Sequence, residues 1–129
     1  ARAMTAFPEL APIVPGFLRQ WSEGATTLQF PNLTATIVLG DARDTLSLWE
    51  GRADAWFLDG FSPAKNPELW SPDLLREVAR HTRPGGTFAT YTAAGHVRRA
   101  LSDAGFTVTR QPGFGRKRHM TTGHLRPPA

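Results

Sequence analysis

The chain contains no cysteine and no long apolar run. Without cysteine it can form no disulfide, no thiolate zinc site and no cysteine nucleophile, which is compatible with a cytoplasmic protein. Without a long apolar run it is not expected to span a membrane. The first five residues, Ala1-Arg-Ala-Met-Thr5, provide no apolar core of a signal peptide. We therefore expect a cytoplasmic protein with no membrane partner.

The composition is that of a globular protein rather than a disordered one. Of the 129 residues, 40% are hydrophobic and 20% are charged, which suits a single domain with a modest core. The formal net charge is +4, and arginine supplies nearly all of the positive charge. This basic excess is compatible with a nucleic-acid partner, although many ordinary enzymes share it.

Strands and helices are predicted to alternate through the second half of the chain. This alternation favours an α/β fold with a mostly parallel sheet and an antiparallel C-terminal hairpin. The predicted strands are residues 26–30, 33–39, 53–58, 87–91, 106–110 and 120–125. The predicted helices are residues 8–21, interrupted at Pro15-Gly16, then 42–49, a helix that begins at Ser71-Pro72-Asp73, and 95–104. The sequence Pro84-Gly85-Gly86 is predicted to form a turn.

The most informative stretch runs from Asp54 to Pro67. It begins with an unbroken apolar run, typical of a strand covered on both faces, and this strand ends at Asp59. Ligands of open α/β folds bind at the carboxyl ends of the strands, so Asp59 is a candidate site residue. An Asx turn to nearby backbone N–H groups is an equally good explanation of this carboxylate on its own.

The loop after Asp59 favours the site. Phe61, Pro63 and Pro67 provide a stiff apolar wall, as a small-molecule pocket requires. Phe61 could stack on a flat ring or pack in the core. Lys65 could contact a phosphate or a carboxylate, although a solvated loop lysine is the commoner case.

Two further motifs have both a functional and a structural interpretation. Asp41, between Gly40 and Ala42, could bind an adenine or a ribose, but capping of the following helix is the commoner role. The loop Arg116-Lys117-Arg118-His119 combines charge with Phe114, and is nearly as typical of a solvated basic turn as of an RNA contact. The four histidines show no metal-ligand spacing, so we expect no metal site.

Four motifs in order resemble the methyltransferase half of the MnmC family. They are Asp54-Ala-Trp-Phe-Leu-Asp-Gly-Phe-Ser-Pro-Ala-Lys-Asn-Pro67, Arg83-Pro-Gly-Gly-Thr-Phe-Ala-Thr-Tyr-Thr92, Val97-Arg-Arg-Ala-Leu-Ser-Asp-Ala-Gly-Phe106 and Gly113-Phe-Gly-Arg-Lys-Arg-His-Met120. Together they cover most of residues 54–120, and the first and last are long enough to be specific.

The resemblance implies a Rossmann-like class I methyltransferase that uses S-adenosyl-L-methionine. It also implies tRNA as the substrate, with methylation of the 5-aminomethyl nitrogen of wobble uridine, and a fused or separate FAD-dependent oxidoreductase as partner. Asp59 matches the catalytic strand tip. The implied cofactor-binding residues are Gly40, Asp41, Ala42, Asp59 and Phe61. The implied substrate-binding or RNA-binding residues are Phe61, Pro63, Lys65, Arg116, Lys117 and Arg118.

The sequence departs from this family before Asp41. A glycine-rich turn after the first strand normally holds the cofactor's methionine part, and no such turn precedes Asp41 in the sequence. We therefore expect a partial methyltransferase domain that lacks the first strands and has a gap in its sheet. A fragment of a longer protein is the favoured explanation, and a short relative that pairs its strands differently is the other. The alternative function is a basic RNA-binding module, or a non-catalytic fragment, without cofactor binding; a methyltransferase of the same fold that acts on another amine is a further enzyme hypothesis.

Overall fold

The computed structural model describes residues 2–24 and 26–128, with the side chains of residues 2 and 3 left aside. The chain divides between Leu39 and Gly40 into two compact units. None of the helices in the described ranges is long and apolar enough to cross a membrane.

The first unit contains one α-helix and one β-hairpin. Two short 3₁₀ turns, Arg2–Ala6 and Pro8–Leu10, precede helix α1, Val14–Ser22. The predicted helix over residues 8–21 is therefore wrong in its start, because the α-helix begins at Val14. The predicted interruption at Pro15-Gly16 is also wrong, because Pro15 lies in the first turn of α1. Proline is favoured there, since its missing N–H would have no helical partner in any case.

The predicted hairpin is confirmed. Strands β1, Thr27–Phe30, and β2, Leu33–Thr36, pair antiparallel around Pro31-Asn32. The second strand ends three residues before the predicted boundary at Leu39. The two strands form a sheet of their own.

The second unit consists of a four-stranded sheet and three helices. Its elements in chain order are α2 (Ala42–Leu48), β3 (Ala53–Phe57), α3 (Pro72–Arg80), β4 (Thr82–Thr90), α4 (Gly95–Ala104), β5 (Phe106–Pro112) and β6 (His119–Leu125). The strand order is β3-β4-β6-β5. The α/β class and the C-terminal antiparallel hairpin are thus as predicted. The expectation of a mostly parallel sheet is wrong for the described strands, because only β3 and β4 pair parallel and both pairings of β6 are antiparallel.

The core of this unit lies between the sheet and helices α3 and α4. Ser71 caps α3 as predicted, with its Oγ accepting a hydrogen bond from the Leu74 N–H at 3.3 Å. The rings of Phe88 and Phe106 meet edge to face at 5.0 Å. The buried core residues are Trp70, Leu75, Val78, Ala79, Phe88, Val97, Ala100, Leu101 and Phe106.

Strand β3 lies at the edge of the sheet. The prediction of a strand covered on both faces is wrong, since Ala55 is exposed and Phe57 has 86% of its surface exposed. The reason is that only one face of β3 is packed: Trp56 and Leu58 lie against the core, whereas Ala55 and Phe57 belong to the opposite face. Trp56 holds β3 to the rest of the unit, because it packs against the core and its Nε1 donates to Thr82 Oγ1 at 2.8 Å.

A buried histidine fixes the start of β3. His81 is 3% exposed, and its ring nitrogens lie 2.8 Å from the Glu77 carbonyl oxygen and 2.6 Å from the Trp49 carbonyl oxygen. The backbone N–H of Ala53 donates to the His81 carbonyl at 2.7 Å. This histidine therefore has a structural role.

The sequence Pro84-Gly85-Gly86 lies inside β4. The pairing passes from Ala53 opposite Thr82 to Ala55 opposite Thr87, so the residues between form a bulge. Gly85 has a φ of 78°, in the left-handed region that favours glycine. The predicted turn is therefore an irregularity within one strand, and the strand begins five residues before the predicted start.

Candidate active site

The parallel pairing of β3 and β4 places Asp59 and Tyr91 at the same end of the sheet, where both strands have their carboxyl ends. Phe57 lies opposite Ala89, and the Leu58 N–H donates to the Ala89 carbonyl at 2.9 Å. The Asp59 side chain is exposed, and within the described residues it has no hydrogen-bond or ion-pair partner. The alternative of an Asx turn is therefore not formed, and this carboxylate is available to a ligand.

Three pockets converge on Asp59. The first has a volume of about 300 Å³, the second about 680 Å³ and the third about 170 Å³. Leu58, Asp59, Thr90, Tyr91 and Phe114 line both of the larger pockets. Asp59 and Leu58 also line the third pocket, together with Ala42 of helix α2. A ligand spanning these pockets would therefore contact the Asp59 carboxylate.

The loop after Asp59 is held by its own hydrogen bonds and by the core. The backbone N–H groups of Lys65 and Asn66 donate to the Ser62 carbonyl at 3.0 and 2.9 Å. Trp70, which is 5% exposed, donates from Nε1 to the Phe61 carbonyl at 2.8 Å. The predicted stiffness of this loop is explained by these contacts, and Pro63 lines the largest pocket.

Two predicted residues of this loop lie outside the pockets. Phe61 is 78% exposed, so it does not pack in the core, yet it lines none of the three pockets at Asp59. Lys65 is exposed, and it has no hydrogen-bonded or ionic side-chain partner in the part of the chain that the structure describes. Their assignment to cofactor or substrate stays a prediction.

The loop between β5 and β6 has a fixed shape. Gly113 N–H donates to the Arg118 carbonyl at 3.2 Å, and Lys117 N–H donates to the Phe114 carbonyl at 3.2 Å. A Cβ at Gly113 would lie 2.3 Å from the Lys117 carbonyl oxygen, so no larger residue fits without a backbone shift. Gly115 has a φ of 63°. This shape brings Phe114 and Lys117 to the pockets.

The rest of the basic cluster is solvent-facing. Arg116 and Arg118 are exposed and line none of the three pockets. Neither forms an ion pair with any residue within 2–24 and 26–128. Both guanidinium groups therefore remain available to an anionic partner, and their RNA-binding role stays a prediction.

Several residues that line the pockets were not predicted from the sequence. Phe57, Tyr91 and Met120 line the pocket of about 300 Å³, and Phe114 lines it as well, although the sequence had suggested Phe114 only as an RNA contact. Tyr91 could have been found, because it follows the strand that is parallel to the Asp59 strand. Thr121 fixes this region by donating from Oγ1 to the Thr92 carbonyl at 2.7 Å.

Asp41 caps helix α2, so the structural interpretation of this residue is confirmed. Its carboxylate accepts from the Arg43 backbone N–H at 2.9 Å and from the Arg43 guanidinium at 2.6 Å. Gly40 has a φ of 148°, and a Cβ there would lie 2.8 Å from Thr45 Cγ2. Only Ala42 of this segment lines a pocket at Asp59, and the cofactor roles of Gly40 and Asp41 stay predictions.

We expect the Asp41 cap to persist in acid. The side-chain hydrogen bond from Arg43, followed by its backbone N–H, lowers the pKa of Asp41 from 3.8 to about 2. Because the folded pKa is the lower one, the stabilisation is present above about pH 4 and is lost as the pH falls through 2. NMR titration of the Asp41 carboxyl carbon measures this midpoint. Arg43→Ala should raise it towards 3.8, whereas a midpoint near 3.8 in the parent chain would contradict the expectation.

The sheet and the pockets at the carboxyl ends of its strands indicate a class of protein. An α/β sheet with pockets and an exposed carboxylate at the carboxyl ends of its parallel strands is the ligand-binding arrangement of Rossmann-like enzymes. Among the described residues no group of three or more histidine, aspartate or glutamate side chains is placed to hold a metal ion.

Comparison with known proteins gives the family. Residues 8–126 match the family of S-adenosyl-L-methionine-dependent methyltransferases, and the chain belongs to this family. It is 49% identical over 132 residues to the tRNA 5-methylaminomethyl-2-thiouridine biosynthesis bifunctional protein MnmC of Chromohalobacter salexigens, and 47% identical over 134 residues to the protein of the same name from Pseudomonas aeruginosa PAO1. The resemblance to the MnmC methyltransferase half is thereby confirmed.

The matches also define the extent of the similarity. Each alignment includes 99% of this chain, and the chain spans about a fifth of the length of these relatives, 19% and 20%. The crystal structure of MnmC2 from Aquifex aeolicus is similar, with a TM-score of 0.72 and 35% identity, covering 85% of this chain and 36% of that one. The Rossmann-like methyltransferase fold and S-adenosyl-L-methionine as the family's methyl donor are thus as the sequence implied.

The residues at the pockets fit the methyl-donating end of this cofactor. A sulfonium is a cation, and the exposed Asp59 carboxylate lines two of the pockets together with the exposed ring of Phe57, two features that attract cations. The third pocket adds a small, mostly apolar space next to Ala42. The carboxylate of Asp41, the residue before Ala42 in the chain, is bonded to Arg43.

Proposed function

We propose that this chain provides acceptor-side and cofactor-side residues of an S-adenosyl-L-methionine-dependent methyltransferase that methylates the 5-aminomethyl nitrogen of wobble uridine in tRNA. The observation that supports it most is the Asp59 carboxylate, which has no partner among the described residues and lies at the junction of three pockets, within a stretch that resembles the MnmC family. Residues 8–126 match one family, and they extend over both compact units, so we propose that the units belong to one partial methyltransferase domain.

Asp59 would act on the acceptor amine. When bound, the cofactor supplies an activated methyl group, so the protein mainly provides alignment and a dry site. The attacking amine must be neutral. Its nitrogen would form a bond to the methyl carbon while the bond from that carbon to the sulfonium sulfur breaks, S-adenosyl-L-homocysteine would leave, and the nitrogen would lose a proton. Asp59 can orient this amine by accepting its N–H and can take the released proton, directly or through water.

The remaining predicted residues divide between cofactor and substrate. On the cofactor side we place Gly40, Asp41, Ala42, Asp59 and Phe61. On the substrate side we place Phe61, Pro63, Lys65, Arg116, Lys117 and Arg118. In this assignment the exposed Arg116 and Arg118 of the β5–β6 loop contact tRNA phosphates, which is a common role for exposed arginine. Because tRNA is the proposed substrate, we propose a cytoplasmic location. We also propose an FAD-dependent oxidoreductase, fused or separate, as the partner.

A second candidate is an RNA-binding module without catalysis. The exposed cluster Arg116-Lys117-Arg118 favours it. In that case the pockets at Asp59 would bind RNA bases but no methyl donor.

Calorimetry and a methyl-transfer assay test the two candidates. We expect the chain to bind S-adenosyl-L-methionine and to transfer a methyl group to tRNA that carries 5-aminomethyl-2-thiouridine, but not to tRNA without this arm. The affinity for tRNA should fall steeply with salt if the arginines contact phosphates. Salt-dependent RNA binding with neither cofactor binding nor methyl transfer would support the module and overturn the proposed enzyme.

A further inference from the structure

We propose that Phe114 and Tyr91 form an aromatic platform that holds the ring of the target base beside Asp59. The proposal rests on the proposed function, because it names the part of the pocket that receives the modified uridine. Both side chains line the two larger pockets, and Asp59 lines the same two. A base bound on these rings would therefore have its 5-aminomethyl arm within the same cavity as the carboxylate.

Both rings have surface to offer to a ligand. Phe114 is 82% exposed and Tyr91 is 55% exposed, so a large part of each side chain is accessible. Within the described residues no ring-to-ring contact involves either of them. A flat heterocycle can therefore reach a face of each ring, and every base has a π face on which such stacking is possible.

The two rings come from elements that hold them in place. Tyr91 follows β4, where Thr92 is bonded to Thr121 of β6. Phe114 lies in the loop closed by the Gly113–Arg118 and Phe114–Lys117 backbone hydrogen bonds. Little ordering is therefore left for binding to impose on the backbone beneath these rings, and a fixed platform binds better than a mobile one for the same contacts.

The largest pocket also provides a place for the nucleotide's charge. Lys117 lines this pocket together with Phe114, and it has no ion-pair partner among the described residues. A base on the rings and a phosphate near Lys117 would use both features of one loop. Phe61 lines none of these pockets, so Phe114 and Tyr91 are better placed to hold the base.

Substitutions at Phe114 separate stacking from simple apolar filling. Phe114→Ala removes the ring, Phe114→Leu keeps apolar volume without a π face, and Phe114→Trp keeps a face. Loss of base stacking typically weakens binding by roughly 5- to 150-fold. We expect kcat/KM for aminomethyl-tRNA to fall by about this factor in the alanine and leucine variants and to be retained in Phe114→Trp, with the affinity for S-adenosyl-L-methionine within about twofold of the parent in all three.

A binding signal tests stacking without turnover. The additional fluorescence of the Phe114→Trp variant, relative to the parent chain, should be quenched by the free nucleoside 5-aminomethyl-2-thiouridine. Lys117→Ala serves as the charge control. It should reduce the salt dependence of tRNA binding by about one phosphate contact and leave binding of the nucleoside, which has no phosphate, unchanged.

The outcomes for this proposal and for the proposed function are distinct. If the parent chain methylates aminomethyl-tRNA and Phe114→Ala or Phe114→Leu does so equally well, the platform is overturned while the function stands. If the parent chain methylates no such tRNA, the proposed function fails, and quenching by the nucleoside would still support a base platform. Absence of quenching at nucleoside concentrations that saturate the parent chain overturns the platform.

Discussion

Asp59→Ala is expected to abolish measurable methyl transfer to aminomethyl-tRNA, with a loss of about 10³-fold, while leaving the fold intact. General acid–base catalysis by one positioned side chain contributes typically about 10²- to 10⁴-fold, and Asp59 would also orient the amine. The fold should be unaffected because the Asp59 side chain is exposed and has no partner in the described residues. Single-turnover assays measure the first effect, and circular dichroism with thermal unfolding measures the second.

Asp54→Ala is the matched control for this experiment. Asp54 lies in β3, five residues before Asp59, is exposed, and forms an ion pair with Arg83 at 3.2 Å that is largely solvated. Exposed pairs of this kind stabilise a protein little, so both activity and stability should stay close to those of the parent. Asp59→Asn adds a second test, since it keeps the size and a hydrogen-bond acceptor but cannot take a proton. Transfer at the parent rate in Asp59→Ala would remove Asp59 from the mechanism.

The position of Asp59 could be predicted because it depends on local patterns. An apolar run predicts a strand, and the residue that follows a parallel strand lies at the ligand edge whatever its neighbours are. The cap of Ser71 and the hairpin at Pro31-Asn32 were predictable for the same reason, since each is determined within a few residues.

The exposure of Phe57 could not be predicted, because it depends on which elements pack on each face of β3. An apolar run predicts burial on both faces, but the core packs against the face that carries Trp56 and Leu58 and leaves Phe57 exposed on the other. The position of Phe114 at the pocket could not be predicted either. It lies 55 positions after Asp59, and only the antiparallel return of β5 and β6 brings its loop to the pocket. Such long-range pairings are not encoded in any single window of the sequence.

Gly123→Ala is expected to lower the free energy of unfolding of the second unit by about 3 kcal/mol, which is the cost of overpacking a tightly filled site. Gly123 lies in β6, opposite Phe88 of β4 and Val108 of β5. A Cβ there would lie 2.3 Å from the Thr107 carbonyl oxygen and 2.4 Å from Cε1 of Phe88. The carbonyl belongs to the sheet and the Phe88 ring belongs to the core, so neither can move without disturbing β5 or the contact with Phe106. Glycine within a strand is typical of such a close approach.

Gly95→Ala is the matched control, because it makes the same chemical change in the same unit. Its Cβ would meet only the Arg99 guanidinium, at 3.0 Å, and this flexible group can turn towards solvent. Alanine is also the better residue at the start of helix α4, so stability should stay within about 0.5 kcal/mol of the parent or rise slightly. Urea unfolding followed by circular dichroism compares the two variants. Equal stability of Gly123→Ala and Gly95→Ala would mean that β6 does not lie as close to Phe88 as the structure places it, and the β4-β6 pairing that supports Tyr91 would need to be revised.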